Sequence, residues 1–264
     1  MAGAGVISQI VGFVANKILP QANPDNSSAS ANIRLGTYGE LAINNYLMKK
    51  HALAAEGSYF VSTNTPGTAA VAAGPYPTTY ATTAGWFFFQ NWNPVGGPNA
   101  YVDYLKLIVT AAVGATPTAW NFAVIRDVAT PLSLQVTTSH VTGVTPVNTN
   151  GGSSNQSKCI FAYQNNASAS VNVAPSSASA VIGRTCIGAG LGVVGDECVL
   201  DFGATDPAPI QGLTATAATA AGRRVGGLPP VVVPPGQQIM IVPWWPGATT
   251  SGLGYEFEFT HFER

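Results

Sequence analysis

Charge is what this chain has least of. Its 264 residues include eleven Lys and Arg and twelve Asp and Glu, 9% of the total, where about a quarter is usual for a soluble domain. A protein that lives alone in water needs a charged, mixed surface to stay dispersed. Here Ala, Thr, Gly, Ser, Asn and Pro stand where Lys and Glu normally would. The deficit predicts a chain whose outer surface is largely covered by other subunits. Net charge is −1, and the basic residues are scattered, with Lys49-Lys50 and Arg223-Arg224 the only adjacent pairs. That leaves no footprint for nucleic acid.

Other shortages exclude other classes. Three cysteines, Cys159, Cys186 and Cys198, form no C-x-x-C pair and are too few for a disulfide-stapled scaffold. They read as small buried apolar residues in strands, with one intrachain disulfide left open. The three histidines, His51, His140 and His261, stand in no H-x-x-x-H or H-E-x-x-H setting, so no metal is expected. No G-x-S-x-G elbow occurs. Gly188-Ala189-Gly190-Leu191-Gly192 lacks the terminal Lys-Ser/Thr of a phosphate loop and reads as a turn. Glu256 and Glu258 sit two apart on one strand and point the same way, which invites comparison with the paired carboxylates of a glycosidase. They read better as outward partners of Tyr255, Phe257 and Phe259. No catalytic residue and no cofactor is expected.

What is present is apolar and β-like. Hydrophobic residues make up 46% of the chain, ample for a core. The stretch Val6 to Leu19 is too short to span a bilayer and lacks the basic flank of a signal peptide. Its spacing of three and four predicts a helix of about three turns. Val6, Ile10, Phe13 and Val14 form the anchoring face, turned toward a neighbouring subunit. Gln21 to Asn32 is polar, with Pro24, and reads as an extended arm.

From Ile33 onward short β-type runs alternate with Gly and Pro punctuation. Strands are expected near residues 58–62, 86–89, 101–109, 120–125, 132–136, 159–163, 170–173, 181–187, 198–202, 238–242 and 255–262. Trp86-Phe87-Phe88-Phe89 is the mark of a strand covered on both faces. Strict alternation places Asp103 and Lys106 on opposite faces of their strand. Tyr255-Glu256-Phe257-Glu258-Phe259 has a clean period of two, with Phe262 out of phase. No interior helix is expected, and 141–157 reads as a long polar excursion. Trp244 and Trp245, adjacent between two prolines, cannot both point inward, so one is predicted to pack against a partner.

Arg34-Leu35-Gly36-Thr37-Tyr38-Gly39-Glu40, Ala54-Ala55-Glu56-Gly57-Ser58-Tyr59-Phe60, Tyr101-Val102-Asp103-Tyr104-Leu105-Lys106-Leu107-Ile108 and the ending Gly254 to Arg264 resemble virion structural proteins encoded by tailed bacteriophages. The resemblance implies a particle component and carries no catalytic residues with it. Together with the composition it gives this expectation: residues 1–32 form an N-terminal helix and arm. Residues 33–264 form an all-β, antiparallel, jelly-roll-like sandwich. The protein serves the virion, after assembly in the host cytoplasm, as a non-enzymatic capsid cement or decoration protein. Its partners are itself, as a homotrimer, and other capsid proteins, with no nucleic acid and no membrane. Val6, Ile10, Phe13, Val14, Trp244 and Trp245 make the interfaces. The alternatives are a tail fibre or spike binding host glycan, favoured by the Trp pair and long loops, and a jelly-roll major shell protein. An enzyme such as a depolymerase would need convergent carboxylates.

Overall fold

The computed structural model describes residues 34–35, 41–42, 49–64, 79–82, 85–111, 119–127, 141–164, 179–188, 194–203, 223–244 and 254–264. The chain divides into two compact units, Met1–Met48 and Lys49–Arg264. In the first, β1 (Arg34–Leu35) and β2 (Leu41–Ala42) pair antiparallel. The helix expected over Val6 to Leu19, the arm after it, and the strands expected at 132–136 and 170–173 lie outside the described residues.

The second unit opens on a short helix, α1 (Lys49–Ala55), where no interior helix is expected from sequence. Ala and Leu favour the helical state, and Leu53 is buried beneath it. Gly57 ends it at φ 68. Gly57 N–H donates to Ala54 O at 2.9 Å and Ser58 N–H to Leu53 O at 3.0 Å, the paired bonds of a Schellman cap. A side chain at Gly57 would also run into Ser153. The Asn-rich excursion finishes the cap: Asn150 Nδ2 donates to Ala55 O at 3.0 Å and Asn148 Nδ2 to Gly57 O at 2.9 Å.

Among the described residues everything else that is regular is strand. In chain order these are β3 (Tyr59–Thr63), β4 (Phe87–Asn91), β5 (Ala100–Ala111), β6 (Ala119–Asp127), β7 (Val141–Val144), β8 (Val147–Asn148) and β9 (Cys159–Gln164). Then follow β10 (Ala180–Gly188), β11 (Glu197–Phe202), β12 (Arg223–Leu228), β13 (Val231–Val233), β14 (Gln238–Trp244) and β15 (Gly254–Glu263). One sheet has six strands in the order β10-β6-β14-β4-β9-β7. The other has seven, β12-β11-β5-β15-β3-β8, with β13 also paired to β5. Every pairing is antiparallel except that of β11 with β12. Four pairings are nested: β3 with β15, β4 with β14, β5 with β11 and β6 with β10.

Period-two alternation builds the interior. Phe87, Phe89, Phe122, Val124, Phe161, Ile239 and Ile241 face inward from the six-stranded sheet, and Leu105, Leu107, Leu200, Tyr255, Phe257 and Phe259 from the other. Aromatic rings interlock across the gap, with Phe161 and Phe259 stacked at 4.3 Å between centroids and Phe89 at 4.8 Å from Phe259. At one edge β10 meets β12, where a side chain at Gly226 would fall 2.8 Å from Thr185 Oγ1. The missing Cβ lets the two sheets close there.

The register of β5 against β15 shifts twice, once at Thr110 near the end of β5 and once near its start. The register against β15 jumps between Thr260↔Tyr104 and His261↔Val102, leaving Asp103 as the extra residue of a bulge. Asp103 and Lys106 therefore share the outer face instead of opposing one another. Phe262 needs no irregularity of its own. It falls on the outer face with Glu256 and Glu258, and stacks on Tyr101 at 4.8 Å with ring planes 2° apart.

Candidate functional site

Two strand segments with polar residues at a spacing of two meet at the sandwich interior. Ser157 and Cys159 enter β9, while His261 and Glu263 end β15. A spacing of two puts both members of each pair on one face. The nested topology then sets the pairs opposite each other.

His261 is fully buried. Its ring stacks on Phe60 at 5.4 Å and lies 4.8 Å from Phe89, centroid to centroid. Nε2 lies 3.4 Å from Glu263 Oε1 and 3.3 Å from Ser157 Oγ. The Ser157 hydroxyl donates to the same carboxylate oxygen and accepts the Cys159 N–H at 3.0 Å. Asn93 Nδ2 donates to Glu263 Oε2 at 3.0 Å and to Asn91 Oδ1 at 2.9 Å. Asn91 Nδ2 is held in turn by Val233 O at 2.8 Å.

Burial dominates the electrostatics. It pushes His261 below its ordinary value, although Glu263 pulls the other way. A neutral ring with its proton on Nε2 donates to the carboxylate, and Nδ1 is buried with no hydrogen-bond partner. Burial would raise Glu263, but donation from His261, Ser157 and Asn93 outweighs it and holds the carboxyl low. Cys159 is pushed well up, first by burial and then by the Glu263 charge.

This is not a nucleophile relay. A base that activates serine presents one ring nitrogen to the hydroxyl and the other to its orienting acid. Here Ser157 and Glu263 share Nε2. What the arrangement offers is ligand chemistry: the donor atoms of Cys159, His261 and Glu263 all lie within 4.8 Å of one another.

A second polar group lies on the outer face of the seven-stranded sheet. Lys50 Nζ is 2.8 Å from Asp103 and sits 5.2 Å from the centre of the Tyr104 ring. Tyr59 donates to Asp103, and Tyr104 to Glu258. Lys106 bridges to Glu258 at 2.8 Å. Burial alone would raise Glu258; the bonds from Lys106 and Tyr104 hold it below its ordinary value.

Of the interface residues expected from sequence, Val6, Ile10, Phe13, Val14 and Trp245 lie outside the described residues. Trp244 is half-buried, edge-on to Tyr80 with centroids 5.2 Å apart. Among the described tryptophans Trp92 is the one that faces solvent, 46% exposed, with Nε1 donating to Gln90 Oε1 at 3.1 Å. Cys159 and Cys198 are buried as expected, but Cys186 is exposed, because it lies on edge strand β10. None of the three is in a disulfide.

Sequence spacing alone misses the Cys159, His261 and Glu263 cluster, because 102 residues separate Cys159 from His261. The legible trace is the pair of spacings, Ser157-x-Cys159 and His261-x-Glu263. Compared with protein-family models, curated proteins and solved structures, the chain finds no match.

Proposed function

We propose that this chain is a non-enzymatic virion structural protein, a capsid cement or decoration subunit with a jelly-roll body and an N-terminal helical arm. The observation that carries the fold is the nested pairing of β3 with β15, β4 with β14, β5 with β11 and β6 with β10. Such nesting is what results when one long antiparallel hairpin is rolled into two sheets, as in jelly rolls. Jelly rolls serve capsids, lectins and cupins alike, so the charge deficit discriminates among them. Four of the body's few charges are spent on each other in the Lys50–Asp103 and Lys106–Glu258 pairs. Elsewhere large apolar residues face outward, among them Val95 at 98% and Val147 at 65% exposure. The resemblance to tailed-phage virion proteins points the same way.

Quantitative mass spectrometry of purified particles tests this reading. A decoration role requires a copy number tied to the shell lattice, and a major shell protein requires the dominant one. Deleting residues 1–20 is expected to abolish particle association while leaving the body's unfolding transition in place. A chain absent from particles overturns the proposal.

Trp92 favours a second reading, an appendage that binds host glycan. Its ring is exposed and fixed by Gln90, and flat apolar sugar faces stack on such rings. A glycan-array signal lost in Trp92→Ala would replace the first reading with this one.

A further inference from the structure

The geometry assigns Cys159, His261 and Glu263 as a site for one thiophilic divalent cation, zinc(II) by its ligand set, clipping β9 of one sheet to β15 of the other. A thiolate, an imidazole and a carboxylate together suit zinc better than the oxygen-seeking cations. Zinc bonds of about 2.0–2.3 Å in a tetrahedron leave neighbouring ligand atoms about 3.3–3.8 Å apart. His261 Nε2 and Glu263 Oε1 already stand 3.4 Å apart. The whole set spans at most 4.8 Å, so rotation of the Cys159 side chain by about an ångström of travel completes it.

The surroundings are built for a ligating carboxylate. Asn93 holds Glu263 Oε2 at 3.0 Å, leaving Oε1 turned to the cluster, and Asn91 holds Asn93. Outer bonds of this kind orient metal ligands. Ser157 Oγ, 3.3 Å from Nε2, is hydrogen-bonded to Oε1 and supports the ligating carboxylate, so the fourth position falls to water. The His261 side chain is fully buried and that of Glu263 is 9% exposed, so a cation enters beside the carboxylate.

The proton balance is simple. Cys159 releases its thiol proton to solvent as the metal–sulfur bond forms. His261 gives up its Nε2 proton and takes one on Nδ1, a net change of zero. Glu263 is already ionised. One proton therefore leaves for each cation bound. The Nδ1–H that results is buried with no acceptor, which weakens the site relative to zinc centres whose histidines are held from behind. Micromolar rather than picomolar affinity is the expectation.

The test is titration of the full chain, stripped with a chelator, first with cobalt(II) and then with zinc(II). We expect one equivalent of cobalt, a thiolate-to-cobalt band in the near ultraviolet, tetrahedral visible bands, and displacement of all of these by zinc. Cys159→Ser should lose the thiolate band, and Glu263→Gln should bind at least tenfold more weakly. Cys186→Ser, which removes the exposed thiol, should change nothing. Zinc should also raise the unfolding temperature of the unsubstituted chain, a readout that does not depend on how the variants fold. No binding up to tenfold excess of cobalt overturns the assignment. So does a thiolate band that survives Cys159→Ser or disappears with Cys186→Ser.

Discussion

The central strands β14 and β4 of the six-stranded sheet are buried on both faces, while the seven-stranded sheet buries its inner face and sets ion pairs on its outer one. Behind the shared aromatic interior, the first sheet carries a second apolar cluster of Phe88, Ile125, Val141, Ala162, Met240 and Val242. Its buried polar residues are bonded laterally, Gln90 Nε2 to Gln238 Oε1 at 3.1 Å across neighbouring strands. The second sheet shows Asp103, Tyr104, Lys106 and Glu258 on the corresponding face, with Lys50 of α1 paired to Asp103. The centre of the six-stranded sheet is thus apolar and buried on its outer side as well, whereas the seven-stranded sheet sets its charges against water. A chain this poor in charge has concentrated paired charges on one surface.

Truncating the same kind of residue on each outer face is the sharpest way to break this contrast. Phe88→Ala, at a position 2% exposed, is expected to cost about 3–5 kcal/mol in chemical denaturation. Tyr101→Ala, half-buried and stacked on Phe262, should cost only about 1 kcal/mol. Equal losses would mean that the two faces are not differently covered. At the seam between the sheets, Gly226→Val forces a side chain onto Thr185 and Ile187 and should cost about 1–3 kcal/mol.

The charged face gives a smaller effect that depends on pH. Glu258 sits below its ordinary value of 4.5 because Lys106 and Tyr104 donate to it, against the effect of burial. As pH falls, the unfolded chain takes up a proton there first. The pair's contribution is therefore fully present above pH 4.5 and is lost as pH falls through the folded value. Glu258→Gln should remove that part of the acid sensitivity and cost about 0.5–1 kcal/mol at neutral pH. An unchanged acid profile in the variant would contradict it. Smallest of all, Trp92→Ala should shift stability by less than about 0.5 kcal/mol, since that ring is 46% exposed.

The sequence makes the contrast half visible. The run Trp86 to Phe89 reads as a strand covered on both faces, and β4 is buried throughout. The alternation in β15 places Tyr255, Phe257 and Phe259 inside. Local period reaches that far because burial acts on each side chain separately. It does not reach the Asp103 bulge, which is a relation between β5 and β15 and not a property of either strand. The helix Lys49–Ala55 also escapes it, since seven residues give barely two turns of pattern, and the Asn148 and Asn150 caps that support it come from about 95 residues away. The same limit hides the Cys159, His261 and Glu263 cluster, whose halves meet only once the strands have nested.

All of this rests on the idea that the ion-poor exterior is meant to be covered by further subunits. Sedimentation velocity on the purified full chain at neutral pH, over a hundredfold range of concentration, tests it most directly. The account predicts a discrete oligomer, a trimer, that persists on dilution into the low micromolar range. A single monomeric boundary up to the solubility limit would contradict it.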